Sequence, residues 1–406
     1  MTRHPTRGGA VGPEPAAGRR DALRQRIARR TDVVWSAVLA RPWRWLAAWS
    51  AVLVVAELIS DRKWLGSWFY IVRGVRVLLG PHALTLYATH PELQMGPVTF
   101  AVSAPFVLLP PSIGLAAAAF AMQAAGLLAL REVRAGLRPG DVLGDRRWFV
   151  AAGLAMVAWT LLAVRYGHPD DVLALVGAAL GLRLLRSGAV LRAALVFGLA
   201  VDCKPWIAPV ALVLLAAPRR QWLRAGLVLA SVVVVVWAPF LIQPGSLRAT
   251  GFTIAVDPTA TIRLLGLAGG RTPVWCRPAQ LALGAVLVAV VARRGRPEAA
   301  LLVVVVVRLL LDPSTHLYYD SGALLGACLL DVTATLPIAT VVALAGVQLP
   351  PYLLPMDLRA QAIIRLVSLL LLALLALAGR RRRTADPEPR SIPSRPGRPA
   401  AATVSG

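Results

Sequence analysis

Long apolar runs recur along this chain, and the polar gaps between them are of two kinds. One kind is dense in arginine: "RQRIARR", "REVRAGLRPGDVLGDRR", "PRRQW", "RRGRPE" and "GRRRR". The other holds histidine, aspartate, lysine and tyrosine in short turns such as "GHPDD", "DCKPW" and "DPSTHLYYD". An apolar stretch of ~20 residues is stable in lipid as a helix, because a helix satisfies its own backbone hydrogen bonds there. With 57% hydrophobic and only 16% charged residues, the chain reads as an all-α polytopic membrane protein. Its formal charge of +24 would also suit a nucleic-acid binder. Such a protein gathers its basic residues in a patch beside a soluble core. Here they sit in loops, where they set orientation by the positive-inside bias, so no nucleic-acid partner is expected.

Candidate crossings lie near 43–60, 97–131, 148–165, 171–185, 187–202, 205–217, 223–243, 279–293, 299–311, 320–335, 337–353 and 360–379. That makes about twelve helices, with both tails cytoplasmic in a bacterial plasma membrane. Residues 1–42 read as a disordered basic tail, 43–380 as one transmembrane domain, and 381–406 as a second disordered tail. The first apolar segment serves as an uncleaved signal anchor. Residues 97–131 could form two short helices split at "LLPPS". Two crossings, however, would put the arginine loop outside, so one long Pro-interrupted helix is expected, its outer half beyond the bilayer. The first outer loop, 61–96, contains "WLGSWFYIVRGVRVLL", which predicts an amphipathic helix with its apolar face in the headgroups. Cys203, Cys276 and Cys328 are too scattered for a metal site and read as small apolar fillers.

With this topology histidines, aspartates, a lysine and tyrosines converge on the outer face, while the inner loops carry mainly arginine. His168, Asp170 and Asp171 precede one helix, where the acids could simply favour an N-terminus. That reading leaves the histidine and the doublet unexplained. Lys204 sits before Pro205, either snorkelling or contacting a phosphate. Arg308 lies inside an apolar crossing and needs an anion, with Asp312 one turn away or a lipid phosphate as the choices. His316 and Tyr319 follow, although tyrosines also belong to an ordinary interfacial belt. In the first outer loop Asp61 stands one turn after Glu57, either as a surface charge or as a reactive carboxylate, and His90 and Glu92 precede a Gly-Pro helix start. No phosphate-binding glycine loop, HExxH or G-x-S-x-G occurs, which leaves nucleotide-driven transport and the common hydrolases without support.

Four stretches, "LYATHPELQMGP", "GHPDDVLAL", "GLAVDCKPW" and "RLLLDPSTHLYY", together with the helix count, give the chain its resemblance to the C-type integral-membrane glycosyltransferases. It is most similar to the actinobacterial polyprenol-phosphate-mannose-dependent mannosyltransferases. The resemblance implies inverting transfer of a sugar from a polyprenyl-phosphate donor to a glycan or glycolipid acceptor at the outer membrane face. A carboxylate of the first outer loop would be the general base, and cations would hold the departing phosphate. It implies no metal or other cofactor. On this family's pattern the base would stand near Ser67, so Asp61 or Glu92 takes the role. His90, His168, Asp170, Asp171, Lys204, Arg308, Asp312, His316 and Tyr319 would bind substrate. Two rivals are a transporter or flippase, whose ionisable groups belong near the midplane, and a non-catalytic scaffold for envelope assembly.

Overall fold

The computed structural model describes residues 26, 29, 31–60, 65–137, 141–267, 269–334, 336–350 and 357–378. Among the described residues the protein is all helix, with no strand. The principal helices are α1 (Pro42–Ile59), α2 (Trp68–Leu78), α3 (Pro97–Val107), α4 (Pro111–Arg134), α5 (Val142–Thr160), α6 (Pro169–Arg186) and α7 (Val190–Cys203). They continue with α8 (Trp222–Leu241), α9 (Cys276–Arg293), α10 (Ala300–Leu311), α11 (Asp320–Asp331), α12 (Ile338–Ala343) and α13 (Leu358–Ala378). Six helical stretches are long and apolar enough to cross a membrane: Pro42–Ile59, Pro111–Arg134, Val142–Tyr166, Arg219–Leu241, Cys276–Arg293 and Leu358–Ala378. The chain is therefore a membrane-embedded helical protein.

At the centre stands α10, "ALLVVVVVRLLL", buried from Ala300 through Leu309. A helix apolar all round can be stable only when surrounded, and α9, α11, α13 and the segment Pro205–Ala216 enclose this one. That segment was expected as an α-helix and is instead a 12-residue 3-10 helix. Pro205 starts it and Pro209 removes a donor inside it. The tighter winding rises ~2.0 Å per residue rather than ~1.5 Å, so a dozen residues reach as far as sixteen would in an α-helix.

Residues 97–131 do not form one continuous helix. Pro110 adopts φ −49° and ψ 137°, an extended geometry, and α4 starts afresh at Pro111. The chain folds back closely here: a Cβ on Gly114 would lie 2.0 Å from the carbonyl oxygen of Phe106. Two successive prolines remove two N–H donors, and the preceding residue is driven out of helical geometry, so a corner replaces the expected gentle kink. The amphipathic helix α2 forms as the pattern predicts, but its face of Trp68, Ile71, Gly74 and Val75 is buried in the protein rather than in headgroups. Phe100 of α3 lies directly over Gly74. Within the expected N-terminal tail, residues Thr31–Ala40 are helical, and Asp32 pairs with Arg146 at 2.9 Å. The expected tail at 381–406 lies outside the described residues.

The helices divide the polar residues between two ends. At one end Arg134 pairs with Asp145 at 3.1 Å, Arg183 with Glu132 at 2.7 Å and Arg186 with Glu298 at 3.6 Å. There too, Arg294 and Arg296 donate to the last carbonyls of α13, Leu377 O and Ala376 O, at 2.8 and 2.6 Å. The other end carries the start of α6, the ends of α7 and α10, and the start of α11.

Gly96 joins the segment 65–95 to this second end. Its N–H donates to Cys203 O at 2.8 Å, and a Cβ there would sit 1.8 Å from Asp202 O. Gly96→Ala should therefore destabilise the protein by about 1–3 kcal/mol. Gly153→Ala, in a helix with nothing within 4 Å of the new carbon, should be neutral or slightly stabilising. Thermal unfolding of both variants in detergent tests this, and equal melting points would contradict the packing described.

Candidate functional site

A π-turn sets up the site. After α5 the chain widens into the π-helical segment Leu161–Tyr166, and the N–H groups of Gly167 and His168 both donate to Leu162 O, at 3.1 and 3.2 Å. Gly167 then takes φ 66°, the left-handed region that glycine enters without a Cβ penalty, and Pro169 starts α6. Such widened turns are frequent at functional sites. This one leaves Arg165 facing Glu57, which accepts two bonds from it at 2.8 and 2.9 Å.

The first turn of α6 carries Asp170 and Asp171, both buried. Lys204, which caps the end of α7, pairs with Asp170 and lies 4.0 Å from Asp171 Oδ2. Arg308, in the last turn of α10, lies 3.2 Å from Asp171 Oδ1 and 3.5 Å from Asp312 Oδ2. Helix polarity favours this placement, with acids at an N-terminus and cations at C-termini. Trp206 Nε1–H donates to Asp171 Oδ1 at 2.8 Å. The Arg308 guanidinium is sandwiched by aromatic rings, 4.4 Å from the Trp206 centroid and 4.0 Å from that of Tyr319. His168 stacks on Tyr318 at 3.9 Å, and His316 flanks the same ring at 5.4 Å. His168 Nδ1 lies 3.5 Å from Asp170 Oδ1.

So the structure brings together His168, Asp170, Asp171, Lys204, Arg308, Asp312, His316 and Tyr319, from four helix ends far apart in sequence. The "GHPDD" histidine and its aspartates do more than cap a helix: each aspartate is committed to a cation from another element. Lys204 does not snorkel away, and Arg308 chooses Asp171 as well as Asp312. Trp206 and Tyr318 complete the cluster, and the sequence reading did not select them as site residues. Their signal was proximity, Trp206 two residues after Lys204 and Tyr318 two after His316.

His90 and Glu92 form a separate group. Glu92 Oε1 lies 3.3 Å from His90 Nδ1 and 3.1 Å from Arg73 Nη1. Partial burial would raise the Glu92 carboxyl, but its own backbone N–H, Arg73 and His90 hold it below the usual range. Asp61 lies outside the described residues. The chain just after it is tied to the π-turn, since Leu65, Gly66 and Ser67 donate their N–H groups to the carbonyls of Val164, Arg165 and Tyr166 at 2.8–3.0 Å. Beside His316, Asp257 accepts from the Thr259 N–H at 2.8 Å and from its hydroxyl at 2.7 Å. These bonds outweigh the upward push of burial and hold its carboxyl below the usual value. The three cysteines are free and buried, as small fillers should be. Among the described residues, His168, Asp170 and Asp171 are the group arranged so that they could hold a metal ion.

Comparison of the chain with protein-family models, with characterised proteins and with solved structures finds no match.

Removing one partner from a buried ion pair strands the other, at a cost of ~3–5 kcal/mol. Lys204→Met should destabilise the protein by about that much. Adding Asp170→Asn to it should recover part of the loss, because the stranded charge is gone. Chemical unfolding of the single variants and the double variant measures the coupling. Strictly additive losses would mean that the two side chains are not a functioning pair.

Proposed function

We propose that the protein is a membrane glycosyltransferase that moves a sugar, with mannose the expected one, from a polyprenyl-phosphate donor to a cell-envelope acceptor, with inversion. The observation that carries this reading is the convergence of "GHPDD", "DCKPW" and "DPSTHLYYD" on one buried ionic cluster at a single end of the bundle. The full proposal includes about twelve crossings, both tails in the cytoplasm, and the cluster at the outer face of a bacterial plasma membrane. The arginine-rich opposite end supports that orientation.

In the proposed reaction a first-loop carboxylate, Asp61 or failing it Glu92, takes the proton of an acceptor hydroxyl. The freed oxygen attacks the anomeric carbon from the face opposite the phosphate, and the carbon–oxygen bond to phosphate breaks. The leaving group is polyprenyl phosphate, which carries away the electron pair as negative charge. Lys204, Arg308 and His316 face that charge. Arginine has five N–H donors, and the pairs with Asp171 and Asp312 occupy its Nη1 and Nε. His168, Asp170 and Asp171 orient the sugar through their fixed positions, and His90, Asp312 and Tyr319 border the substrate. A donor with a long apolar chain suits a site at a helix-bundle end, where the chain stays in lipid while the phosphate meets polar groups. A transporter reading is less favoured, because these charges gather at one end of the bundle, opposite the arginine-rich end.

Transfer from radiolabelled polyprenyl-phosphate-mannose in membranes tests the activity. Either Asp61→Asn or Glu92→Gln should cost ~100-fold or more, as loss of a general base does. Full activity in both would remove the proposed base, and a wild type that neither transfers the sugar nor binds the donor saturably would favour a scaffold. Sidedness has its own test at His316, which is exposed. A cysteine at that position in intact cells should react with an impermeant maleimide, the native cysteines being buried. Labelling only after permeabilisation would invert the topology.

A further inference from the structure

The ionic cluster is not balanced. Three carboxylates, Asp170, Asp171 and Asp312, face two cations, Lys204 and Arg308, leaving one negative charge while His168 is neutral. Nor are its acceptors all used. Asp170 Oδ1, Asp171 Oδ2 and His168 Nδ1 are each buried without a hydrogen-bond partner. Buried acceptors left unmade are costly, and here three of them come from one run of four residues. One ligand atom from each of these side chains lies within 4.8 Å of the others. His168 itself is buried, with 9% of its side chain exposed, and its Nδ1 is turned toward Asp170 Oδ1 rather than toward solvent.

The geometry points to a divalent cation held by His168 Nδ1, Asp170 Oδ1 and Asp171 Oδ2. Lys204 pairs with Asp170 Oδ2 and Arg308 with Asp171 Oδ1, so they act as the outer partners that fix each carboxylate, Lys204 also standing 4.0 Å from Asp171 Oδ2. One imidazole and two carboxylates suit a borderline ion such as Mn²⁺ or Zn²⁺, with ligand distances of ~2.1 Å. Ligand atoms of the three side chains already lie within 4.8 Å of one another, and binding would draw them into that shell. Stacking on Tyr318 holds the imidazole plane, with Nε2 carrying the proton. The ion would change the local excess from one negative charge to one positive. A site meant to receive a lipid phosphate needs that sign, which Lys204 and Arg308, already matched by carboxylates, do not supply by themselves. The cation site stands on the cluster geometry; only this last consequence rests on the transferase reading, in which His168, Asp170 and Asp171 would then position the sugar phosphate through the ion rather than by direct contact.

The test uses the purified full chain in detergent, stripped with chelator and then titrated with Mn²⁺ or Zn²⁺. One ion per chain is expected by elemental analysis, with bound Mn²⁺ visible by electron paramagnetic resonance. Saturating metal should raise the melting temperature. His168→Phe keeps a ring on Tyr318 and removes the nitrogen, so it should weaken binding at least tenfold and abolish most of that rise. Its melting point in chelator, compared with that of the stripped wild type, reports whether it folds; Asp171→Asn is a second variant, expected to weaken binding similarly. Absence of stoichiometric metal from the wild type, or equal binding by the wild type and a folded variant, would overturn the site. If a protonated His168 supplies the missing charge instead, His168→Phe loses the same stability with and without metal, which also overturns it. A chain that binds Mn²⁺ but transfers no sugar keeps this inference and loses the transferase. Transfer by a chain that takes up no metal on titration does the reverse.

Discussion

Burying charge is the constraint around which this protein is organised. Asp170 and Asp171 enter the interior at the start of α6, and neither could remain ionised there alone. They are tolerable because α7 and α10 end beside them and deliver Lys204 and Arg308. Three helices are thereby held in one axial register, since sliding any of them by a turn would strand a charge. Trp206 and Tyr319 add ring faces to the guanidinium and keep water away from it. A purely apolar bundle in lipid has little to specify such a register, because its helices pack almost equally well after a shift.

The same constraint explains the irregular stretches around the site. The π-turn before Gly167, the 3-10 winding after Lys204 and the proline corner between α3 and α4 all depart from regular α-helix. Irregular backbone is expensive at membrane depth unless protein covers it. Here the π-turn and the 3-10 segment are packed among helices and flank the ionic cluster directly, whereas the proline corner is exposed. The π-turn aims Arg165 at Glu57 and Tyr166 toward Tyr318. The 3-10 segment brings Trp206 onto Asp171 within two residues of Lys204. The close approach at Gly96 then seats the segment 65–95 against the backbone of Asp202 and Cys203. The group of His90, Glu92 and Arg73 in this segment thus belongs to the cluster's end of the molecule.

Much of the architecture was legible without coordinates. Periodic apolar runs and their arginine-rich gaps marked the membrane helices, because hydropathy and the cost of exposed backbone in lipid act locally. The short polar stretches could likewise be singled out, since His168, Lys204 and Arg308 are conspicuous in such surroundings. Three features misled. Residues 97–131 satisfied the hydropathy of one helix, but Pro110–Pro111 break hydrogen bonds that composition does not count. Residues 205–217 looked α-helical, and the 3-10 geometry was decided by the prolines and by the length to be spanned. The amphipathic helix α2 carried the right periodicity, which says that one face is buried and not whether lipid or protein buries it.

The chain by itself therefore determined that this is a helical membrane protein, roughly where its helices run, and which few side chains are too costly to be idle. These are properties of neighbouring residues and of the solvent they prefer. Only the tertiary structure decided which distant residues pair: Lys204 with Asp170, Arg308 with Asp171 in addition to the Asp312 one turn away, His168 against Tyr318. Partners separated by more than thirty residues are chosen by the packing of whole helices, and spacing along the sequence carries no record of that choice. The three acceptor atoms left over became visible only after every other bond in the cluster had been assigned.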